Sequence, residues 1–380
     1  MLVINAFTHD TRVQKEAKSL AGAGHEITVF AFHGTGLPEH DARDGYRIER
    51  IRICSRGWGT HLMMRLFKYL EFNLRAVYRF VRMRPAVIHA HDFNALIPSF
   101  VGAALVRARL VYDSHELWSE RRAPLLKSDK LRRVLSSIEG FLARRADAVI
   151  TVNTSIADYL TERYHLRAPI VLMHSQEYSS VEHNKVLRQD FNIPQDRPIV
   201  IYAGNLAPGR GLENLVEATA HLDRAVVILM GTDKMEGQLQ RLVTSRGLQE
   251  RVFFREPVPP EDVLRYVASS DLGVIPTQSI DLSYHYSLEN KFFHCLMAGI
   301  PMAVSNQPEK RRLVESYGVG AVFDETDPLD IARVINQLLS DEENYHEMCN
   351  RARRAARDVF NWGIESCKLL ALYNQLFDEQ

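Results

Sequence analysis

Short apolar runs alternate with amphipathic stretches along almost the whole chain of 380 residues. That alternation is the pattern of buried parallel strands covered by helices. Such strands are buried on both faces, so they read as unbroken runs of Val, Ile, Leu and Ala rather than as an in-out alternation. The runs predict strands at Leu2–Ala6, Ile27–Phe32, Arg47–Ile53, Ala86–Ala90, Leu110–Asp113, Ala148–Val152 and Ile170–Met173, with helices in most of the gaps. The first helix is placed by Asp10, a good N-cap residue, and by Val13, Ala17, Leu20 and Ala21 on one face, before Gly22 and Gly24 stop it.

From His174 to Arg197 the periodicity gives way to polar sequence of the kind that links domains. A second set of strands follows at Ile199–Ala203, Ala225–Met230, Val252–Phe254, Leu272–Ile275, Met302–Ser305 and Ala321–Phe323. Leu329–Leu339 has the spacing of a surface helix, and Glu343–Gln380 is almost all helix-forming. The fold class is α/β, with two doubly wound domains whose sheet carboxyl ends are expected to face a cleft. The expected boundaries are 1–174 for the first domain, 175–197 for a linker, 198–358 for the second domain and 359–380 for a closing helix.

With 46% hydrophobic and 25% charged residues the chain can bury large cores, which excludes global disorder, collagen and coiled coil. Lysine plus arginine number 47, as do aspartate plus glutamate, so bulk attraction to nucleic acid is not the expected mode of action. Cys54, Cys295, Cys349 and Cys367 form no C-x-x-C pair and read as ordinary thiols of a reducing cytoplasm. The chain opens without a basic n-region, and its longest apolar stretches, such as Ile97–Val106, are too short to span a bilayer, so a cytoplasmic protein is expected, at most peripheral to the inner membrane face. Arg65, Lys68, Arg75, Arg79, Arg82 and Arg84 punctuate the helix-forming stretch Leu62–Arg84, whose only acid is Glu71. That segment suits either an anionic membrane surface or a solvated helix face, and Arg121–Arg145 is basic as well.

Four segments carry candidate chemistry. YAGNLAPGRGLENLVEA places Gly204 at a strand end, then a loop with Gly209, Arg210 and Gly211, then a helix; free amides and a cation together suit a phosphate or diphosphate, although an ordinary strand-to-helix turn has the same outline. SLENKFFHCLMAGIP offers Ser287, backbone amides and Lys291 as a second face for the same anion, with Phe292, Phe293, Leu296 and Met297 as core. HAHDFN (His89, His91, Asp92, Asn94) and YDSHELW (Asp113, His115, Glu116, Trp118) each follow a strand, where residues of parallel sheets point into the functional crevice. They lack a compact ligand spacing such as H-E-x-x-H, and no metal site is expected.

The ordered series DTRVQKEAKSLAGAGHEITV, HAHD, YDSHEL, ADAVITVN, YAGNL with RGLENLVEA, SLENKFFHCLMAGIP and the terminal FNW with LALYNQLF resembles GT-B glycosyltransferases of family 4 over nearly the whole chain. The resemblance implies two Rossmann-like domains, a nucleotide-diphosphate sugar as donor substrate held mostly by the second, an acceptor held mostly by the first, and a final helix crossing back to the first. It further implies metal-independent hexosyl transfer to an acceptor hydroxyl with retention, without a cofactor, in polysaccharide, glycolipid or glycoconjugate biosynthesis. The acceptor would be a saccharide, a lipid-linked molecule or a small molecule.

Carried onto this sequence, Arg210 and Lys291 become the catalytic cations and His115 a hydrogen-bond partner of the transferred sugar. Gly204, Asn205, Arg210, Gly211, Tyr286, Ser287, Leu288, Asn290, Lys291 and His294 become the donor side. Asp10, Arg12, His91, Asp92, His115 and Glu116 become the acceptor side. The chain departs from the family at Asn205, where many members carry an arginine, and at Tyr286 and His294, where they carry a pair of glutamates. The loop after the first strand is NAFTHD rather than glycine-rich. These departures keep a catalytically impaired binding or partner protein, and a sugar-nucleotide epimerase of the same fold, as alternatives.

Overall fold

The computed structural model describes residues 1–59, 61–120 and 128–378, and the chain forms two compact units: Met1–His174 together with the stretch from Glu365 onward, and Ser175–Ile364. The part of the basic Arg121–Arg145 stretch that covers 121–127 lies outside the described residues.

The first unit carries strands β1 (Thr28–Phe32), β2 (His40–Arg43), β3 (Tyr46–Ile51), β4 (Val87–His91), β5 (Arg109–Ser114), β6 (Ala148–Thr151) and β7 (Ile170–Val171). Its helices include α1 (Thr11–Gly22), α2 (Leu62–Met83), α3 (Asp92–Val106), α4 (Asp129–Ala143) and α5 (Thr154–Tyr164). The strands form two ladders, β2-β3-β1 and β4-β5-β6-β7, and all neighbours are parallel except β2 and β3. Leu2 joins the ladders: its N–H donates to the His89 carbonyl at 2.8 Å, its carbonyl accepts from the His91 N–H at 3.1 Å, and the Val3 N–H reaches the Phe30 carbonyl at 3.0 Å.

The strand predicted over Leu2–Ala6 is thus reduced to a bridge at Leu2. Asn5 turns the chain there, because its side-chain carbonyl accepts the Phe7 N–H and its amide donates to Asp10, offering the backbone a local alternative to the ladder. Asp10 caps α1 as expected, accepting from the Val13 N–H. Strand β2 lies outside the predicted set. Its sequence HDAR has no apolar run, and it sits at a sheet edge where an antiparallel pair tolerates water.

The second unit carries α6 (Val186–Asp190), β8 (Ile199–Ala203), α7 (Leu212–Thr219), β9 (Val226–Met230), α8 (Gln238–Ser245), β10 (Val252–Arg255), α9 (Val263–Val267), β11 (Leu272–Ile275), α10 (Leu282–His285), α11 (Asn290–Ala298), β12 (Met302–Ser305), α12 (Pro308–Tyr317), β13 (Gly320–Phe323), α13 (Pro328–Ser340) and α14 (Glu342–Asp358). Its sheet is wholly parallel in the order β10-β9-β8-β11-β12-β13. This is the doubly wound order, with the direction of winding reversing between β8 and β11, where ligands of such sheets gather. One face of the sheet packs a core that runs from Val200 and Tyr202 to Ile331 and Ile335.

The polar stretch 175–197 is not a free linker. It contains α6, whose Leu187 is buried, and Arg188 donates to Asp271 at 2.8 Å and to the carbonyls of Pro194 and Arg197, tying the segment to the second unit. At the other end, α15 (Trp362–Asp378) docks on the first unit from Glu365 onward. Glu365 accepts the Met173 N–H, the Tyr373 hydroxyl meets His89 at 3.0 Å, and Leu369, Leu372 and Leu376 are buried.

Because Leu2 is fully buried at the junction of both ladders, Leu2→Ala removes core packing exactly where the sheet is joined by few bonds. The expected cost is about 2 to 5 kcal/mol, read as a lower urea midpoint for the first unit; an unchanged midpoint would show that the junction bears no load.

Candidate functional site

In the second unit a cavity of about 310 Å³ opens at the carboxyl ends of β8 and β9, beside the start of α11. Gly204 and Asn205 leave β8, Gly231 and Thr232 leave β9, and Glu289, Asn290, Lys291 and His294 come from the cap and first turns of α11. Gly231 adopts φ +150°, and a Cβ there would stand 2.0 Å from the Gly204 carbonyl oxygen, so the two strand ends approach closely only because that residue is glycine. Gly211 is in the left-handed region at φ +69°, and its missing Cβ would meet the Pro276 carbonyl at 1.9 Å.

Lys291 is buried, with its ammonium 4.1 Å from the centre of the Tyr202 ring. Burial pushes its pKa down to about 8, against the opposing pull of Glu289. Arg210 places a guanidinium nitrogen 3.9 Å from Glu289 and lies over the Tyr284 ring. Glu289 is held at 3.2 Å by Lys310, itself fully buried on α12. Burial opposes ionisation of Glu289, yet Lys310 and Lys291 bring its pKa down to about 2, so it is a carboxylate at any working pH. The cluster therefore holds Arg210, Lys291 and Lys310 against one carboxylate, and its surplus is positive.

Of the residues expected on the donor side, Gly204, Asn205, Arg210, Asn290, Lys291 and His294 line this cavity. Gly211, Tyr286, Ser287 and Leu288 do not. Gly211 shapes the turn behind it, and the Ser287 hydroxyl donates to the Tyr284 carbonyl, closing the short α10. Glu289, Lys310, Tyr202 and Gly231 were not expected. A glycine directly after the Ala225–Met230 run was a readable sign for Gly231, and a carboxylate two residues from Lys291 was one for Glu289; nothing local marks Lys310.

In the first unit the expected residues converge at the carboxyl ends of β4 and β5. Arg12 is buried between carboxylates: Nε and Nη2 donate to Asp113 at 3.0 Å each, Nη1 donates to the Leu172 carbonyl, and Glu16 Oε1 is 3.0 Å from Nε. His115 Nε2 is 3.1 Å from Asp113, its Nδ1 is 3.6 Å from Asp92, and its N–H donates to Asp92. Burial opposes the charge on His115, but Asp92 and Asp113 lift its pKa to about 9, making it an imidazolium at neutrality. His91 moves the other way, down, because burial outweighs its contact with Asp113. Burial and the charge of Asp113 raise Glu16 to about 8.

Glu16, His89, His91 and Asp113 bring potential ligand atoms within 4.8 Å of one another. The Arg12 guanidinium, however, already occupies the face of both carboxylates where a cation would sit. Arg12 and His91 are buried and brace Asp113, which in turn holds His115. Asp10 serves as the cap of α1 and Asp92 as a partner of His115; Glu116 is half-buried beside them.

Residues 9–175 match the glycosyl transferase 4-like domain, and residues 184–358 match the glycosyl transferases group 1 domain. The chain belongs to the group 1 glycosyltransferases. This glycosyltransferase is 27% identical over 381 aligned residues to the GDP-mannose-dependent alpha-(1-6)-phosphatidylinositol monomannoside mannosyltransferase of Mycolicibacterium smegmatis, covering 92% of this chain and 90% of that one. Its fold is similar to sucrose-phosphate synthase from Thermosynechococcus elongatus, with a TM-score of 0.79 at 20% identity over 97% of this chain and 94% of that one. It is also similar to Anabaena HepE in complex with UDP-glucose, with a TM-score of 0.73 at 17% identity over 98% of both chains. The fold is GT-B, and among the described residues no helix is long and apolar enough to cross a membrane.

Two outcomes follow from the charges. Lys310 makes the shortest ion-pair contact with buried Glu289 while Lys291 and Arg210 still face it, so Lys310→Met is expected to cost the glycosyltransferase about 1 to 3 kcal/mol, and adding Glu289→Gln to recover part of it; equal midpoints for the single and double variants would separate the two residues energetically. His115 has a folded pKa above its ordinary 6.5, so its stabilising contribution is complete below pH 6.5 and is lost as pH rises through about 9. Between those limits wild type should lose about 2 kcal/mol relative to His115→Gln in urea unfolding, and parallel pH profiles would mean that His115 is not ionised in the fold.

Proposed function

We propose that this glycosyltransferase moves a hexose from a nucleotide-diphosphate sugar to an acceptor hydroxyl, with retention of configuration and with side-chain cations in place of a metal, the acceptor being a saccharide or a lipid-linked molecule at a membrane surface. The observation that carries the reading is the cavity of the second unit, where the Arg210 guanidinium and the Lys291 ammonium converge on a wall of strand-end backbone from Gly204 and Gly231. Breaking the bond between a sugar and a diphosphate makes the sugar oxocarbenium-like while negative charge grows on the leaving group. Fixed cations and amides aimed at that charge stabilise the transition state more than the ground state.

Each residue then has a task. Arg210 binds phosphate oxygens with a planar fork, held in aim by Glu289 and Tyr284. Lys291 adds a point charge from beneath, its stem confined by Tyr202. His294 and Asn290 offer hydrogen-bonding groups on the α11 wall, suited to nucleoside hydroxyls. In the first unit, imidazolium His115 donates hydrogen bonds and does not act as a general base, so its suited partner is a sugar oxygen. The donor complexes of Anabaena HepE with UDP-glucose, and the GDP-mannose dependence of the mycobacterial relative, support a nucleoside diphosphate as the anion.

Arg210→Ala is expected to lower kcat by about a hundred- to a thousandfold while leaving the urea midpoint in place, the usual effect of removing one donor to developing charge. Near-normal turnover by the folded variant would remove Arg210 from the mechanism. The Lys291 ammonium, with its pKa near 8, sets an alkaline limb. Donor affinity should be flat below pH 8 and fall above it as the charge is lost, and Lys291→Arg, which stays charged, should flatten that limb. A calorimetric titration of donor across pH in which both proteins weaken in parallel would assign the limb to another group.

A further inference from the structure

Helix α2 is apolar on two faces. Phe72, Ala76 and Phe80 fill the core, while Leu66, Phe67, Leu70, Leu74 and Tyr78, about half a turn away, are 50, 50, 53, 63 and 57% exposed. Core packing explains the first stripe and leaves the second without a role inside the unit. The outer surface continues over the neighbouring helices, with Val101 and Leu105 exposed on α3 and Val134, Ile138 and Phe141 on α4. Between α3 and α4 runs an open groove of about 790 Å³ walled by Ile97, Phe100, Val101, Val134, Ile138 and Phe141. A monomeric soluble protein rarely leaves so continuous an apolar surface in water.

Cations outnumber acids around this surface, although Arg75 pairs with Glu71 and Arg79 with Glu49. Arg65, Arg75, Arg79 and Arg82 of α2, Arg107 after α3, and Arg144 and Arg145 after α4 are exposed. The acids nearby are engaged: Glu71 accepts from the backbone of Cys54 and Ser55 and from Arg75, Glu139 is buried, and Asp129 pairs with Arg132. Arg145 lies 3.6 Å over the Phe141 ring, the posture of a side chain covering apolar surface with its stem. Trp58, 53% exposed, sits at the start of α2, where Lys68 donates to its carbonyl.

We infer that the α2-α3-α4 face is a docking surface for an anionic lipid bilayer. The exposed leucines and aromatics enter the headgroup region, the arginines meet lipid phosphates, and Trp58 takes the interfacial depth that indoles favour. A second copy of the chain fits less well, because a twofold interface would bring two arginine-rich surfaces of like charge together. The inference rests on the proposed function only for its purpose, the capture of a lipid-linked acceptor; Asp92, the first residue of α3, also binds the His115 N–H, so the face and the histidine cluster share a helix.

The test uses the full chain and sedimentation with vesicles of phosphatidylcholine alone or with phosphatidylglycerol. Pelleting is expected with the anionic vesicles and not the neutral ones, with a salt-sensitive part from the arginines and a salt-resistant part from the apolar residues. Leu70→Ser with Leu74→Ser, both exposed and outside the donor cavity, should reduce partition about tenfold or more and abolish the salt-resistant part. The same variant should keep the thermal shift given by UDP or GDP, so failure of docking is read separately from failure of donor binding. Recovery of wild type in the supernatant with anionic vesicles, or light scattering showing a wild-type dimer that the double variant dissolves, would overturn the assignment.

Discussion

An ionised group taken out of water needs an opposite charge close by, and both functional clusters of this glycosyltransferase are organised by that requirement. In the first unit Arg12 lies between Asp113 and Glu16, and Asp113 in turn fixes His115. In the second, Glu289 lies between Lys310, Lys291 and Arg210. Each cluster is centred on a fully or mostly buried ion, Arg12 in the first and Glu289 in the second. The central ion aims its exposed partners, so positioning and folding energy reside in the same contacts.

The two clusters differ in net charge. Arg210, Lys291 and Lys310 against Glu289 leave two positive charges in excess while Lys291 is protonated below about pH 8. That surplus suits a diphosphate and grows more valuable as the leaving group gains charge. Around Asp113 the cations Arg12 and His115 are met by Asp113 and Asp92, with Glu16 mostly protonated below about pH 8, so the site is near neutral. A neutral site with a fixed imidazolium suits hydroxyl groups, which a strongly charged one would leave poorly solvated.

The strands were legible because a parallel sheet buried on both faces leaves an apolar run, and Ile199–Ala203 and Met302–Ser305 appear as read. The failures have the same root. Strand β2 carries no such run because it lies at an edge, and the first strand shrinks to Leu2 because Asn5 hydrogen-bonds its own turn. Residues 175–197 read as a linker because their polarity was visible, while the Arg188–Asp271 contact that anchors them spans 83 positions. In the candidate site, Arg210 and Lys291 were legible from the loops that carry them. Lys310 was not, since its partner Glu289 lies 21 positions away and charge pairing across elements leaves no local pattern.

The departure at His294 is best understood through Glu289. A carboxylate at position 294 would line the same cavity as Glu289 and Lys291. Two carboxylates there would halve the surplus of two positive charges that Arg210, Lys291 and Lys310 leave over Glu289. With a histidine at that position the cavity gains no second carboxylate and still presents ring nitrogens for hydrogen bonding. The negative charge of the site is therefore carried at the N-terminal cap of α11, where it aims Arg210 and pairs with Lys310, rather than one turn further on. On this argument Glu289 and His294 are compensating features of one electrostatic arrangement, and a carboxylate restored at 294 would meet its repulsion from Glu289 before it met a ribose.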